Sequence, residues 1–171
     1  MAFIRTKKVK KWEYAYIVEN VYRKRGNPVK QKTKKYLGKV LRFDKVNSKD
    51  FLEQLEIKDM DSYIKSKEIP EIISDLVEVE LANHGFVKEK NKWVKGDCAV
   101  DVKKRKFLNS KGNNVALAFN EGLLTSYTVR KIINFNAYDP EDGYDFAKMF
   151  VEAGLDVPKD VFVGIFSKIY K

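Results

Sequence analysis

Glu13-Tyr14-Ala15-Tyr16-Ile17-Val18-Glu19-Asn20-Val21-Tyr22, then Arg23-Lys24-Arg25-Gly26-Asn27-Pro28, then Val29-Lys30-Gln31-Lys32-Thr33-Lys34-Lys35-Tyr36, is the stretch that decides how this chain reads. The first part alternates with a period of two, the signature of a strand whose faces differ. Tyr14, Tyr16, Val18, Asn20 and Tyr22 fall on one face, and Glu13, Ala15, Ile17, Glu19 and Val21 on the other. The middle part is turn chemistry: Gly26 tolerates a positive φ, and Pro28 cannot donate to a central ladder. The last part alternates again, with Lys30, Lys32, Lys34 and Tyr36 on one face. Gly38 reads as a bulge or bend, after which residues 39–43 make a third short strand. With Phe3-Ile4-Arg5 in front, the expectation is an antiparallel meander of three or four strands.

Charge marks the same segment. Residues 1–45 hold 15 Lys and Arg against Glu13, Glu19 and Asp44, a net +12, whereas residues 46–171 carry 19 against 21, a net −2. Like charges packed so tightly repel one another on folding, which points to a polyanion as partner. Nucleic acid is the first candidate and an anionic membrane surface the second. Period-two lysines on a strand stand about 6.5–7 Å apart, a spacing suited to successive phosphates. An aggregation-resistant edge strand would carry lysines as well. Three clusters in one short segment favour nucleic acid: Lys7, Lys8, Lys10 and Lys11; Arg23, Lys24 and Arg25; and Lys30, Lys32 and Lys34. Aromatics interleave with this charge. Most are expected in the core of a very small sheet, with Tyr22 and Tyr36 free to stack on bases.

The segments Phe3-Ile4-Arg5-Thr6-Lys7-Lys8-Val9-Lys10, Tyr14-Ala15-Tyr16-Ile17-Val18-Glu19-Asn20 and Gln31-Lys32-Thr33-Lys34-Lys35-Tyr36-Leu37-Gly38-Lys39-Val40 together resemble the start of certain insertion-sequence transposases. Small uncharacterised archaeal proteins look similar there. The resemblance covers about residues 3–43 and implies a DNA-contacting region. Nothing after it resembles a transposase catalytic core, so DNA binding is implied and transposition is not.

Beyond the basic segment, residues 46–69 read as a charged linker with one or two short helices. Pro70 opens a helix over residues 71–84 that stops at Gly85. Short strands are expected at residues 86–90, 93–95, 98–103, 107–108 and 115–119, then helices over 125–135, 143–153 and 159–170. The fold class is therefore α+β: a small N-terminal meander, a helix, an antiparallel sheet and three C-terminal helices. The expected division is a basic meander (1–45), a linker (46–69) and an α+β body (70–171) able to fold alone.

Composition narrows the chemistry. The single cysteine, Cys98, excludes an intramolecular disulfide, and one Cys with one His excludes a zinc-finger spacing. No secretory h-region or membrane-length apolar run is present, so the chain reads as soluble and cytoplasmic. No metal, cofactor or small-molecule motif stands out. Asp101-Val102-Lys103 in a predicted strand, with Asp97 and with Glu78 or Glu80 on the preceding helix, loosely resembles a restriction-endonuclease-like Mg²⁺ site. Asp97 is too close in sequence, however, and residues 115–119 carry no acid. His84 reads as a helix-end cation, Asp142 as an N-cap, and Cys98 as buried. The leading expectation is a non-catalytic DNA-binding protein. An RNA- or ribosome-associated factor comes second and a Mg²⁺ nuclease third.

Overall fold

A computed structural model describes residues 2–22 and 24–170. Its fold is α+β, with two sheets and six helices among the described residues. The basic segment forms β1 (Ala2–Val9), β2 (Trp12–Val21) and β3 (Lys30–Arg42). β3 is one continuous strand where the sequence suggests two, because Gly38 bends the chain without breaking its pairing.

Two bulges set the faces of β3. The register to β2 slips between Ala15 and Tyr16 and again between Ile17 and Val18, each slip inserting one extra β3 residue. Lys30 and Lys32 therefore stand opposite Val21 and Glu19, whereas Tyr36 stands opposite Tyr16. Directly paired residues share a face, so Tyr36 lies on the opposite face from Lys30 and Lys32, not beside them as strict alternation implies.

The meander is not closed off at residue 45. β3 pairs in parallel with β8 (Val115–Phe119), which pairs with β9 (Gly122–Leu124), giving one five-stranded sheet in the order β1-β2-β3-β8-β9. The body's first strands form a separate antiparallel sheet: β4 (Val87–Glu89), β5 (Lys92–Lys95), β6 (Cys98–Asp101) and β7 (Lys106–Asn109). Residues 115–119 thus leave the sheet expected for them and join the meander. Gly38 makes this possible. With φ at +136°, a Cβ built there would lie 2.5 Å from the Asn114 carbonyl oxygen.

The segment after β3 is also fastened. It holds α1 (Phe51–Gln54) and α2 (Met60–Ser66), the two short helices expected there. Next comes α3 (Ile69–Asn83), where the Asn83 carbonyl accepts the N–H groups of Val46 and Asn47, at 2.8 and 3.0 Å. The Asn83 amide meanwhile exchanges two hydrogen bonds with the Lys49 backbone. A buried asparagine on a rigid helix thereby removes the freedom expected of a linker.

Two cores result. The larger lies between α3, the antiparallel sheet, one face of β8 and β9, and the C-terminal helices α4 (Ser126–Ile133), α5 (Asp142–Glu152) and α6 (Lys159–Ile169). The smaller fills the other face of the large sheet with Ala15, Ile17, Leu37, Val40 and Ala116, against which Ile4 and Leu123 pack. In a flat five-stranded sheet the edge strands would stand about 19 Å apart. Here Ile4 of β1 and Leu123 of β9 line one cleft, so the sheet curls around that small core. Its alanines allow the tight curl.

Several polar groups have structural work. Glu80 is 2% exposed. Its carboxylate accepts from the Asp156 backbone at 3.2 Å and the Asn120 amide at 3.3 Å, and lies 3.2 Å from His84 Nδ1. His84 caps α3, yet it is also 1% exposed and stacks on Phe119 with ring centroids 4.0 Å apart. Asn120 joins β8 to β9 and donates to the Gly154 carbonyl at 2.8 Å, so the Asn120-Glu121-Gly122 turn docks on the end of α5. Asp142 is not the N-cap of α5; Glu141 takes that position. The Asp142 carboxylate reaches back to the N–H groups of Tyr138 and Asp139, which hold it below the usual carboxylate range.

Candidate nucleic-acid interface

β1 and β2 are joined by the two-residue turn Lys10-Lys11, closed by the pair Val9–Trp12. Lys10 takes a left-handed φ of 56°, a position held more cheaply by Gly or Asn, and the turn lifts both lysines into solvent. Lys7 and Lys8 lie within β1 itself, opposite Tyr14 and Glu13, and not in a lead-in segment. At the far end of β2, Tyr22 is 76% exposed, followed by Lys24 and Arg25 in the turn that leads to β3. Arg23 lies outside the described residues. A ten-residue strand spans about 33 Å, so these two basic turns mark the ends of a long cationic surface rather than one cluster.

Between the turns, the few acids of the segment are already engaged. Glu13 receives a 2.6 Å hydrogen bond from Arg42, which with Thr6 and Lys8 holds its carboxyl below the usual range. Glu19 pairs with Lys34 at 2.9 Å, and Lys34, with Lys32 beside it, lowers that carboxyl too. One lysine of the expected stripe is thus partly neutralised. Lys7, Lys8, Lys10, Lys11, Lys24, Arg25, Lys30 and Lys32 form no ion pair among the described residues. β3 is exposed from Lys30 to Tyr36, and its pairing with β8 begins only at Lys39.

The aromatic residues do not form the core expected of them. Only Phe43 joins it, edge-on to Phe86 with centroids 5.0 Å apart. Trp12, Tyr14, Tyr16 and Tyr36 stand together on the face of the meander turned away from the small core. The Tyr36 ring lies 5.3 Å from Tyr16 and 6.4 Å from Tyr14, centroid to centroid. Partial burial, then the neighbouring phenols, raises the Tyr36 hydroxyl above the ordinary tyrosine range. Cations share their cross-strand rows: Arg5 opposite Tyr16, Lys7 opposite Tyr14, and Lys39 opposite Tyr14 from the other side. Lys39 Nζ sits 3.1 Å from the centroid of the Trp12 ring. Tyr22, by contrast, is at the other end of the strand and does not meet Tyr36. Arg5, Trp12, Tyr14, Tyr16 and Lys39 are absent from the expected site. Reading Lys10-Lys11 as a two-residue turn would have placed Arg5 and Lys7 opposite Tyr16 and Tyr14; Lys39 depends on the bulged register of β3, which no local signal gives.

The nuclease-like residues do not converge. β6 ends at Asp101, so Val102 and Lys103 lie in a turn and not in the strand. The Asp101 carboxylate accepts from the Lys104 N–H at 3.0 Å, and Asp97 from the Ser110 N–H at 3.3 Å. Glu78 pairs with Lys88 at 3.4 Å, and Glu80 is tied down as described. No three His, Cys, Asp or Glu side chains come together as a metal set among the described residues. Cys98 is buried, and that burial, with Asp97 adjacent, pushes its thiol up to about 12. No described helix is long and apolar enough to cross a membrane. No protein-family model matches the chain, and neither a curated protein nor a solved structure matches it.

Proposed function

We propose that this protein binds nucleic acid, DNA in preference to RNA, along its basic meander and without cleaving it. One observation carries the reading. Glu13 and Glu19 are engaged by Arg42 and Lys34, while eight Lys and Arg of the same meander, on its two faces and in its two turns, have no ion-pair partner among the described residues. Uncompensated cations spread over a strand about 33 Å long suit a backbone of repeated phosphates better than a compact ligand. The preference for DNA comes from the resemblance of residues 3–43 to a DNA-contacting region. The separate engagement of Asp97, Asp101, Glu78 and Glu80 supports the non-catalytic part.

The test is fluorescence anisotropy with a labelled DNA duplex across a salt series, with structured RNA as competitor. Binding that weakens steeply with salt, and RNA that competes poorly, is the expected result. Absence of binding at low salt contradicts the proposal. RNA that displaces the duplex at far lower concentration replaces it with the RNA reading, and Mg²⁺-dependent loss of the duplex replaces it with a nuclease.

A further inference from the structure

We infer that the aromatic face of the meander is a stacking surface for unpaired nucleotides, so that the preferred ligand is DNA with a single-stranded segment. The inference rests on the nucleic-acid reading and narrows it. Large rings on a small sheet ordinarily go to the core, where they bury the most apolar area. Here Trp12 and Tyr36 are 44% and 46% exposed, and neither belongs to either core. Together with the half-buried Tyr14 and Tyr16 they form an aromatic cluster on one face, of which Trp12 and Tyr36 are the exposed members.

Charge identifies the occupant. Arg5, Lys7 and Lys39 stand in the same cross-strand rows as the tyrosines, and no acidic residue shares that face among the described residues. A second copy of the chain would bring these cations against one another, which opposes self-association through this face. An anionic partner with flat, apolar rings satisfies both features. In a duplex the base faces are occupied by neighbouring bases, whereas a single strand can offer them to tyrosine and tryptophan while its phosphates meet the cations. The geometry is prepared for this. Arg5 donates to the Gln31 side chain, which holds the guanidinium at an open groove of about 410 Å³ bounded by Lys7, Tyr16, Val18 and Thr33.

The experiment compares a labelled oligo-dT with a fully paired hairpin of equal charge. For the wild-type protein, oligo-dT is expected to bind more tightly and to change the emission of Trp12; the other tryptophan, Trp93, is buried. Tyr36→Ala and Trp12→Ala should each weaken oligo-dT binding by roughly fivefold to a hundredfold. They should leave hairpin affinity and the salt slope of both ligands almost unchanged. Wild-type emission provides an arm that does not depend on any variant folding. Equal affinities with unmoved Trp12 emission overturn the inference while leaving nucleic-acid binding intact. Failure of both ligands to bind at low salt overturns the inference together with the reading beneath it.

Discussion

Gly38 and Asn114 meet so closely that the two halves of the chain are joined at the backbone: a Cβ on Gly38 would lie 2.5 Å from the Asn114 carbonyl oxygen. No side chain fits there, and the φ of +136° is itself unfavourable for any other residue. Gly38→Ala is therefore expected to cost about 2 kcal/mol or more, measured by urea denaturation. A variant with a wild-type midpoint would mean that β3 and β8 can separate freely.

The same contact governs truncation. Composition suggests that residues 70–171 fold alone, but without residues 1–69 β8 loses its parallel partner and the large core loses Leu41, Phe43, Phe51, Tyr63 and Ile64. A fragment of residues 70–171 should unfold gradually or aggregate, with its Ala116 and Ala118 face uncovered. A sharp, cooperative urea transition would contradict this.

Strand-by-strand, much of this was legible, because period-two patterning and turn residues are local signals. What was not legible depends on distance or on a single inserted residue. The pairing of β3 with β8 joins Lys39 to Val115, and no local pattern announces it. β9 is three residues long and begins with glycine, too short to show alternation. Each bulge reverses the apparent face of everything beyond it, which is why Tyr36 departs from the lysine stripe. For the interface, the lysine clusters could be read from sequence, but not which cations share a face with the tyrosines or that Trp12 and Tyr36 stay exposed. That exposure depends on where the body packs.

Glu80 lies under the joint between α3, the β8–β9 turn and the loop before α6. Removing it leaves the Asp156 N–H without its acceptor and takes one of two partners from the Asn120 amide and the His84 ring nitrogen, which keep the Gly154 and Glu80 backbone carbonyls. Glu80→Ala should lower stability by about 1–3 kcal/mol, read by urea unfolding. A change within about 0.5 kcal/mol would show the network to be dispensable.

The Glu13–Arg42 pair predicts a pH dependence with a definite sign. Arg42 depresses the Glu13 carboxyl below its ordinary value of 4.5, so the pair stabilises the fold above that pH. The contribution is lost as pH falls through the lower, folded value. The amount is about 1 kcal/mol or less for a pair with one exposed member. Between pH 6 and pH 3, on the order of that range, Glu13→Gln should lose less thermal stability than wild type. Parallel curves would contradict the assignment.

The most direct test of the central claim replaces Lys30 and Lys32 by Gln and measures duplex DNA affinity against salt. Both are exposed, unpaired among the described residues and one period apart on β3. Each phosphate contact contributes a slope of about −0.9 in log K against log salt, so losing two should flatten it by roughly 2 units. Affinity should drop alike for every sequence, and thermal stability should stay within about ±0.5 kcal/mol. An unchanged affinity with an unchanged slope would show that these lysines only guard a strand edge, and that the basic meander is not where nucleic acid binds.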